Sequence, residues 1–149
     1  MKRPGYLTID ENFMPAPEDE GDEFYPNGLF VFNITKMIRH IKNNQSGFPI
    51  TVKKVNEIRN GFSKINEDHI DSVDVTSPIL IAEISPGRFN VIDGNHRLEK
   101  AYRMGLECIS AYVLKPEQHI PFLTSIKAYQ TYVKYWNSKM KEIEKRTLT

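Results

Sequence analysis

The sequence contains very little cysteine and no long apolar run. Its single cysteine, Cys108, excludes an internal disulfide and fits a reducing compartment such as the cytoplasm. No segment approaches the roughly 18 consecutive apolar residues typical of a membrane-spanning helix, and the first residues lack the apolar core of a signal peptide. His40, His69 and His119 show no spacing typical of zinc ligands. These absences favour a cytoplasmic protein without a structural zinc ion or a membrane span.

The residues that are present are enough to build one domain. The chain has 149 residues, and single domains are commonest at about 100–150 residues. Hydrophobic residues make up 40% of the chain and charged residues 26%, proportions typical of a globular protein. A chain of this size can bury a core without disulfides. We therefore expect a single globular domain.

Charge is distributed unevenly along the chain. Residues 1–30 carry two basic and seven acidic side chains, a net charge of −5, whereas residues 31–149 carry 18 basic and 12 acidic side chains, a net charge of +6. Prolines and glycines accompany the acids from Met14 to Gly28, a composition typical of a loop. The sequence thus predicts an acidic, partly flexible arm over residues 1–28 and one domain over residues 29–149. The basic body could attract phosphates or nucleic acid, or its charges could simply be solvated.

Hydrophobic periodicity predicts a mixture of helices and strands. Asn33 is placed to cap a helix over residues 34–43. The predicted strands are Leu29–Phe32 (or an apolar plug), a segment around Ile50 and Val52, Ser77–Ile84, Arg88–Asp93 and Cys108–Leu114. His96–Met104 is predicted to be a helix, and Asn66–Val73 a short helix or a turn. Strands joined through a helix usually run parallel, so the last two strands are expected to be parallel. The predicted fold class is α+β, a small sheet with flanking helices.

The last third of the chain predicts one long helix over residues 119–145. Its apolar residues alternate at spacings of four and three, which places them in one seam: Phe122, Ile126, Tyr129, Val133, Trp136, Met140 and Ile143. A seam of this length is expected to be buried against the sheet or the first helix. Alternatively, it could pair two chains, so the sequence leaves a monomer and a homodimer open.

The stretch VIDGNHRLEKAYRMG joins a predicted strand to a predicted helix. The first turn of a helix exposes backbone N–H groups that lack a partner in the helix, and the helix dipole adds partial positive charge there. Gly94 lets a phosphate approach these groups because it has no Cβ. Asn95, His96 and Arg97 then lie on that turn, where Arg97 can bind phosphate oxygens and His96 can donate a further hydrogen bond.

The phase of this helix extends the predicted site by one turn. The face expected to pack inward carries Leu98, Ala101, Tyr102 and Gly105, and the opposite face carries His96, Lys100 and Arg103. Arg97 lies at the border of the two faces. A phosphate chain could therefore meet His96, Arg97 and Lys100 together. The alternative is an amphipathic helix whose basic face is only solvated.

Acidic residues near this turn suggest further roles. Asp93 could hold magnesium, act as a general base or bind a nucleotide hydroxyl, or it could serve only as a turn carboxylate. An acidic cluster precedes the strand at Ser77–Ile84: Glu67, Asp68, Asp71 and Asp74. We expect this cluster to be solvated, and Cys108 to be a small buried side chain.

Residues 77–114, SPILIAEISPGRFNVIDGNHRLEKAYRMGLECISAYVL, resemble the core of the ParB/sulfiredoxin superfamily. SPILIA is similar to the family's Gln-Pro-apolar strand. DGNHR is similar to its phosphate-binding turn, which reads Gly-Cys-His-Arg in sulfiredoxins, Gly-Glu-Arg-Arg in ParB proteins and Asp-Gly-His-His-Arg in some relatives, including the free serine kinases. The resemblance implies a ParB/sulfiredoxin-like fold and a nucleotide ligand, ATP or CTP, usually with magnesium.

The resemblance assigns roles residue by residue and also shows departures. Gly94 matches the family glycine, and His96 and Arg97 match the pair that binds nucleotide phosphates in sulfiredoxins. Asn95 stands at the position of the sulfiredoxin cysteine, and an amide cannot form its covalent intermediates. Cys108 lies beyond the helix and cannot replace it. Sulfiredoxin activity is therefore not expected. A long helix follows where ParB proteins have a helix-turn-helix, so a full partition protein is not expected either.

The sequence leaves two kinds of function open. The leading hypothesis is a nucleotide-binding protein, and phosphoryl transfer would add slow phosphohydrolase or phosphotransferase activity without needing a cysteine. The alternative is a non-catalytic module that binds nucleic acid or a protein partner. The absence of a helix-turn-helix and of an aromatic-basic strand motif makes sequence-specific nucleic-acid binding the less favoured of the two.

Overall fold

The computed structural model of the chain describes residues 5–28, 30–59 and 64–148. The strands are β1 Phe24–Asn27, β2 Phe30–Asn33, β3 Thr51–Lys54, β4 Ile79–Ser85, β5 Arg88–Asp93 and β6 Cys108–Leu114. The helices are α1 Ile34–Asn43, α2 Val55–Ile58, α3 Glu67–Ile70, α4 Asn95–Arg103, α5 Pro116–His119 and α6 Ile126–Leu148. Leu29 of the predicted first strand and residues 1–4 of the predicted arm lie outside the described residues. The predicted α+β class is confirmed.

The main sheet has four strands in the order β3-β6-β4-β5. β4 and β6 pair in parallel, whereas β5 pairs antiparallel with β4, and β3 antiparallel with β6. The expectation that β5 and β6 are parallel is therefore wrong. A short turn at Gly87, whose φ is 76°, folds β5 back along β4 as a hairpin. Helix α4 then carries the chain across β4, so the parallel partner of β6 is β4.

Each face of this sheet carries its own apolar core. One core lies under α1 and α6 and includes Phe32, Leu114 and Tyr132, which are completely buried. The other lies under α2 and α4 and includes Ile79 and Leu98. Because both faces are covered, β4 is buried along nearly its whole length. This is why its sequence is a continuous apolar run rather than an alternating pattern.

Helix α1 confirms the prediction made from its cap and its period. The side-chain oxygen of Asn33 accepts a hydrogen bond from the Lys36 amide at 3.1 Å. The Asn33 side chain is buried, and its amide group donates to the Pro17 carbonyl and to the Asp22 carboxylate. This bond from Asn33 is the main reason that the pKa of Asp22 is lowered. The cap of α1 therefore also holds the preceding acidic segment in place.

The segment before α1 packs on the domain rather than extending from it. The backbone of Leu7 exchanges two hydrogen bonds of 2.9 Å with the Asn137 side chain on α6. The ring of Phe13 stacks on Tyr129 with centroids 4.1 Å apart. Composition predicted an acidic, partly flexible arm because acids, prolines and glycines are concentrated here, but the apolar residues Leu7, Ile9 and Phe13 pack against the core. The predicted loop from Met14 to Gly28 is also wrong at β1, which pairs with β2.

The C-terminal helix begins later than the sequence predicted. Residues 116–122 form α5 and a 3-10 turn, Leu123 is extended, and α6 starts at Ile126. Proline at position 121 cannot donate a helical hydrogen bond, and the Ser125 hydroxyl accepts from the Ala128 amide to open the new helix. No helix in the described ranges, α6 included, has the length and apolar character needed to cross a bilayer.

His119, at the end of α5, is completely buried in the core under α6. Its Nε2 lies 2.8 Å from the carbonyl oxygen of Glu83, to which the Tyr132 hydroxyl also donates. An N–H on Nε2 satisfies this contact, and Nδ1 finds no partner in the described part of the chain. Burial lowers the pKa of His119 to about 4. The His119 ring is therefore neutral near pH 7 and packs as part of the core under α6.

Candidate functional site

Strand β5 runs directly into helix α4 through Gly94, as the sequence predicted. Gly94 has φ 101° and ψ 22°, in the left-handed region that residues with a Cβ rarely adopt. A Cβ at this position would lie 2.5 Å from Cγ2 of Ile79, so β4 packs directly against the turn. Gly94 also has no side chain that could cap the helix. The first turn of an α-helix carries backbone N–H groups and a partial positive charge that favour an anion, so this junction is a candidate phosphate contact.

The Gly94→Ala variant should be destabilised by about 3 kcal/mol, because it combines left-handed backbone strain with a clash against a buried residue. Gly87→Ala is the matched control, since Gly87 has φ 76° but a Cβ there would meet nothing within 4 Å. The control should cost only about 1 kcal/mol. Urea denaturation of both variants measures the difference. Equal losses would show that the contact with Ile79 contributes nothing.

Arg97 and Asp93 bind each other across this turn. Arg97 Nη2 donates to Asp93 Oδ2 at 2.8 Å, and Arg97 Nη1 donates to the Pro78 carbonyl at 2.8 Å. Both side chains are mostly buried, at 18% and 26% exposure. They line a cleft of about 220 Å³ between α1 and the sheet, together with Lys42 and Ser77. We call this the small cleft. Arg97 therefore fixes the turn to the start of β4, in addition to any role toward a ligand.

The basic face of α4 is covered by the segment that precedes β4. His96 Nε2 accepts from the Asn66 amide at 3.0 Å. Lys100 Nζ donates to the carbonyl oxygens of Asp71 and Val73 at 3.1 and 2.8 Å. The sequence correctly placed His96 and Lys100 on one face, but that face meets protein backbone. Within the described residues, Arg97 lines the small cleft, whereas His96 and Lys100 contact the backbone of residues 66–73.

A buried carboxylate, Glu99, lies at the centre of an ion-pair network on α4. Arg59 Nε donates to Glu99 at 2.7 Å and Arg103 Nε donates to it at 2.9 Å. The hydrogen bond from Arg59 is the main reason that the pKa of Glu99 is lowered. Arg103 also forms a two-pronged pair with Glu67 of α3, which lowers the pKa of Glu67. The network ties α2, α3 and α4 together.

The inward face of α4 differs from the one that helical phase predicted. Leu98 and Ala101 are buried as expected, but Tyr102 is 46% exposed and Gly105 is exposed too. Glu99 takes their place in the interior because two arginines neutralise it. The Arg59 guanidinium lies 3.8 Å from the centroid of the Tyr102 ring. The hydrophobic pattern of α4 does not predict that Glu99 is buried in place of Tyr102, because this burial depends on Arg59, which lies 40 positions away in the chain.

A larger cleft of about 540 Å³ opens at the first turn of α4, on the side away from the small cleft. Asn95 is the predicted site residue that lines it. Its other polar and aromatic lining residues are Tyr25, Lys53, Glu57, Arg59, Phe89 and Asn90. We call this the large cleft. Sequence reasoning missed these six residues because they come from β1, β3, β5, α2 and the residue that follows α2, Arg59. The only local sequence feature that could have indicated this cleft is the aromatic residue next to an amide on the edge strand β5, Phe89 and Asn90.

Acidic and sulfur-containing residues do not assemble into a metal centre in the described ranges, where no group of three or more potential ligands is found. Asp93 lines the small cleft and Glu57 the large one. Within the acidic cluster ahead of β4, Glu67 binds Arg103, and Asp74 accepts from Thr76, which lowers the pKa of Asp74. Cys108 is exposed at the start of β6, contrary to the expectation that it is buried.

Comparison of the chain with protein-family models, with curated proteins and with solved structures finds no match. The ParB/sulfiredoxin assignment therefore stays a prediction from residues 77–114.

Proposed function

We propose that this protein binds the phosphate chain of a nucleoside triphosphate, ATP or CTP, in the large cleft. The observation that carries the proposal is the large cleft itself, which lies beside the first turn of α4 and has two cations on its wall, Lys53 and Arg59. Backbone N–H groups at a helix start and nearby cations are the usual elements of a phosphate site. The resemblance of the DGNHR turn to a family phosphate-binding turn implies the same ligand class.

The cations of the large cleft retain donors for a ligand. Arg59 uses Nε for its bond to Glu99, and no second hydrogen bond of its guanidinium occurs within the described residues. Its two terminal amino groups can therefore face a phosphate, while Glu99 and the Tyr102 ring hold the guanidinium in position. Lys53 is half-buried on β3 beside the same cleft. A guanidinium fixed in advance binds an anion with less loss of side-chain entropy.

The remaining lining of the large cleft suits the rest of a nucleotide. Two rings, Tyr25 and Phe89, offer apolar surface to a base, and the side-chain amide of Asn90 offers hydrogen bonds. The volume of about 540 Å³ lies within the range of roughly 300–1,000 Å³ that is typical of small-molecule sites. Pocket size and lining thus support a ligand larger than inorganic phosphate.

Magnesium fits this site only as a partner of the nucleotide. Glu57 is a carboxylate that lines the large cleft, and one carboxylate plus phosphate oxygens is a common magnesium environment. Asp93 is occupied by Arg97 and lines the other cleft. Glu57 would therefore hold the ion beside the phosphates, and the ion would neutralise their charge. Hydrolysis or transfer of the terminal phosphate stays part of the proposal, and a catalytic role of Asp93 stays a prediction.

Calorimetry with ATP, CTP, GTP and ADP, each with magnesium, tests the proposal. We expect binding at micromolar to millimolar concentration, and Lys53→Gln should weaken it about tenfold, the scale of a lost hydrogen bond to a charged group. Phosphate release from the same mixtures measures hydrolysis. No binding of any of these nucleotides at millimolar concentration would overturn the proposal.

Lys42→Gln is the matched control, because Lys42 lines the small cleft and the substitution removes the same charge. Nucleotide affinity should be unchanged in this variant. If Lys42→Gln weakens binding and Lys53→Gln does not, the nucleotide binds beside Asp93 and Arg97 in the small cleft. The assignment to the large cleft would then be wrong.

A further inference from the structure

Helix α6 presents a row of lysines on the side opposite its buried face. Ala128, Tyr132 and Trp136 mark the buried face. At 100° per residue, the centre of the opposite side is occupied by Lys127, Lys134, Lys141 and Lys145, all of them exposed. We call these four residues the lysine row. At a rise of 1.5 Å per residue, the row extends over roughly 27 Å.

The four lysines of the row are not paired with acids in the part of the chain that the structure describes. None of the four lysines forms an ion pair within the described ranges, whereas Lys139 and Arg146 on the flank of α6 both approach Glu142. The positions between the lysines on the same side are uncharged, Gln130 and Ser138. An exposed helix is more commonly stabilised by acidic and basic residues that alternate at a spacing of four. Four unpaired lysines repel one another, so an anion in contact with the row would relieve that repulsion.

We propose that the lysine row binds the phosphate backbone of double-stranded DNA, without regard to sequence. The row is straight and held by a rigid helix, so its charges match a stiff polyanion with a regular phosphate spacing. It contains no aromatic residue on which unstacked bases could stack, which disfavours single strands. It also has no apolar residue between its lysines that could enter a lipid surface. Sequence readout is not involved, because lysine contacts to phosphates carry no base information.

Fluorescence anisotropy with a labelled 30-base-pair duplex at several salt concentrations tests this proposal, in the absence of nucleotide. We expect micromolar affinity at 50 mM NaCl. Replacing all four lysines of the row by glutamine should weaken binding at least tenfold at that salt. It should also reduce the slope of log K against log salt by about 3 to 4, since each phosphate contact contributes about 0.9. Glutamine keeps the helix propensity of lysine, so circular dichroism should show an unchanged fold.

The control variant replaces four exposed basic residues elsewhere by glutamine: Arg39, Lys54, Lys64 and Lys115. It changes the net charge by the same amount and should bind the duplex about as well as the wild type. An equal loss in the control would overturn the proposal, because the attraction would then be a property of net charge. Tighter binding of a single strand, or displacement of the duplex by polyglutamate at equal charge concentration, would also overturn it and indicate a different partner. Failure of nucleotide binding would leave this proposal unaffected.

Discussion

A chain that begins at Asn27 should lose at least about 5 kcal/mol of unfolding free energy compared with the full chain. The truncation removes two buried residues, Tyr6 and Ala16, and three apolar residues that pack against the core, Leu7, Ile9 and Phe13. Burial of each large apolar side chain contributes about 1.5–3 kcal/mol. Since a domain of this size is stable by only about 5–15 kcal/mol, the truncation should remove a third or more of the free energy of unfolding.

The sequence alone predicts the opposite outcome, because an acidic arm with prolines would be dispensable. Thermal unfolding of the two chains decides between these expectations. A variant with Glu11, Glu18 and Glu20 replaced by glutamine keeps the packing and removes exposed charge, so it should melt within a few degrees of the wild type. A truncated chain that melts at nearly the same temperature as the full chain would contradict the packing seen for residues 5–17.

The Trp136→Ala variant should lose about 3–5 kcal/mol, the usual cost of removing a large aromatic side chain from a core. Trp136 is 7% exposed, packs near Tyr132, and donates from its indole nitrogen to the Gly5 carbonyl at 2.7 Å. Trp136→Phe keeps most of the apolar contact and should lose about 1–2 kcal/mol. Chemical denaturation measures both losses.

The same variant tests how the seam of α6 is used. Tyr129, Val133 and Trp136 are buried within the chain, whereas Ile126 and Ile143 at the two ends are 53% and 38% exposed. Stability of the wild type should therefore be independent of protein concentration, and sedimentation should give the same species for wild type and Trp136→Ala. A concentration-dependent dimer that the substitution abolishes would show that the seam pairs two chains.

The truncation at Asn27 and the Trp136→Ala substitution should have non-additive effects on the free energy of unfolding. Trp136 bonds to Gly5, and both Trp136 and residues 5–17 pack on the same side of α6. In the truncated chain, Trp136→Ala should cost clearly less than 3–5 kcal/mol, because the truncation has already removed part of its contacts.

Local features of the sequence determined helix α1 and the glycine turn between β5 and α4. The cap at Asn33 and the helical period fixed α1, and the glycine after Asp93 fixed the junction of β5 and α4. These predictions succeeded because a cap, a period and a glycine act within a few residues. The α+β class followed from the same local patterns.

Tertiary structure alone decided which of the predicted side chains face a common space. His96 meets the Asn66 amide, 30 positions earlier, and Glu99 is buried because Arg59, 40 positions earlier, neutralises it. The large cleft joins Asn95 to Lys53, which lies on a strand at the other edge of the sheet. A sequence pattern indicates the hydrophobic period and the charge of a single segment only. The partner of a side chain depends on which distant segment packs against it, and the burial of many residues together fixes that choice.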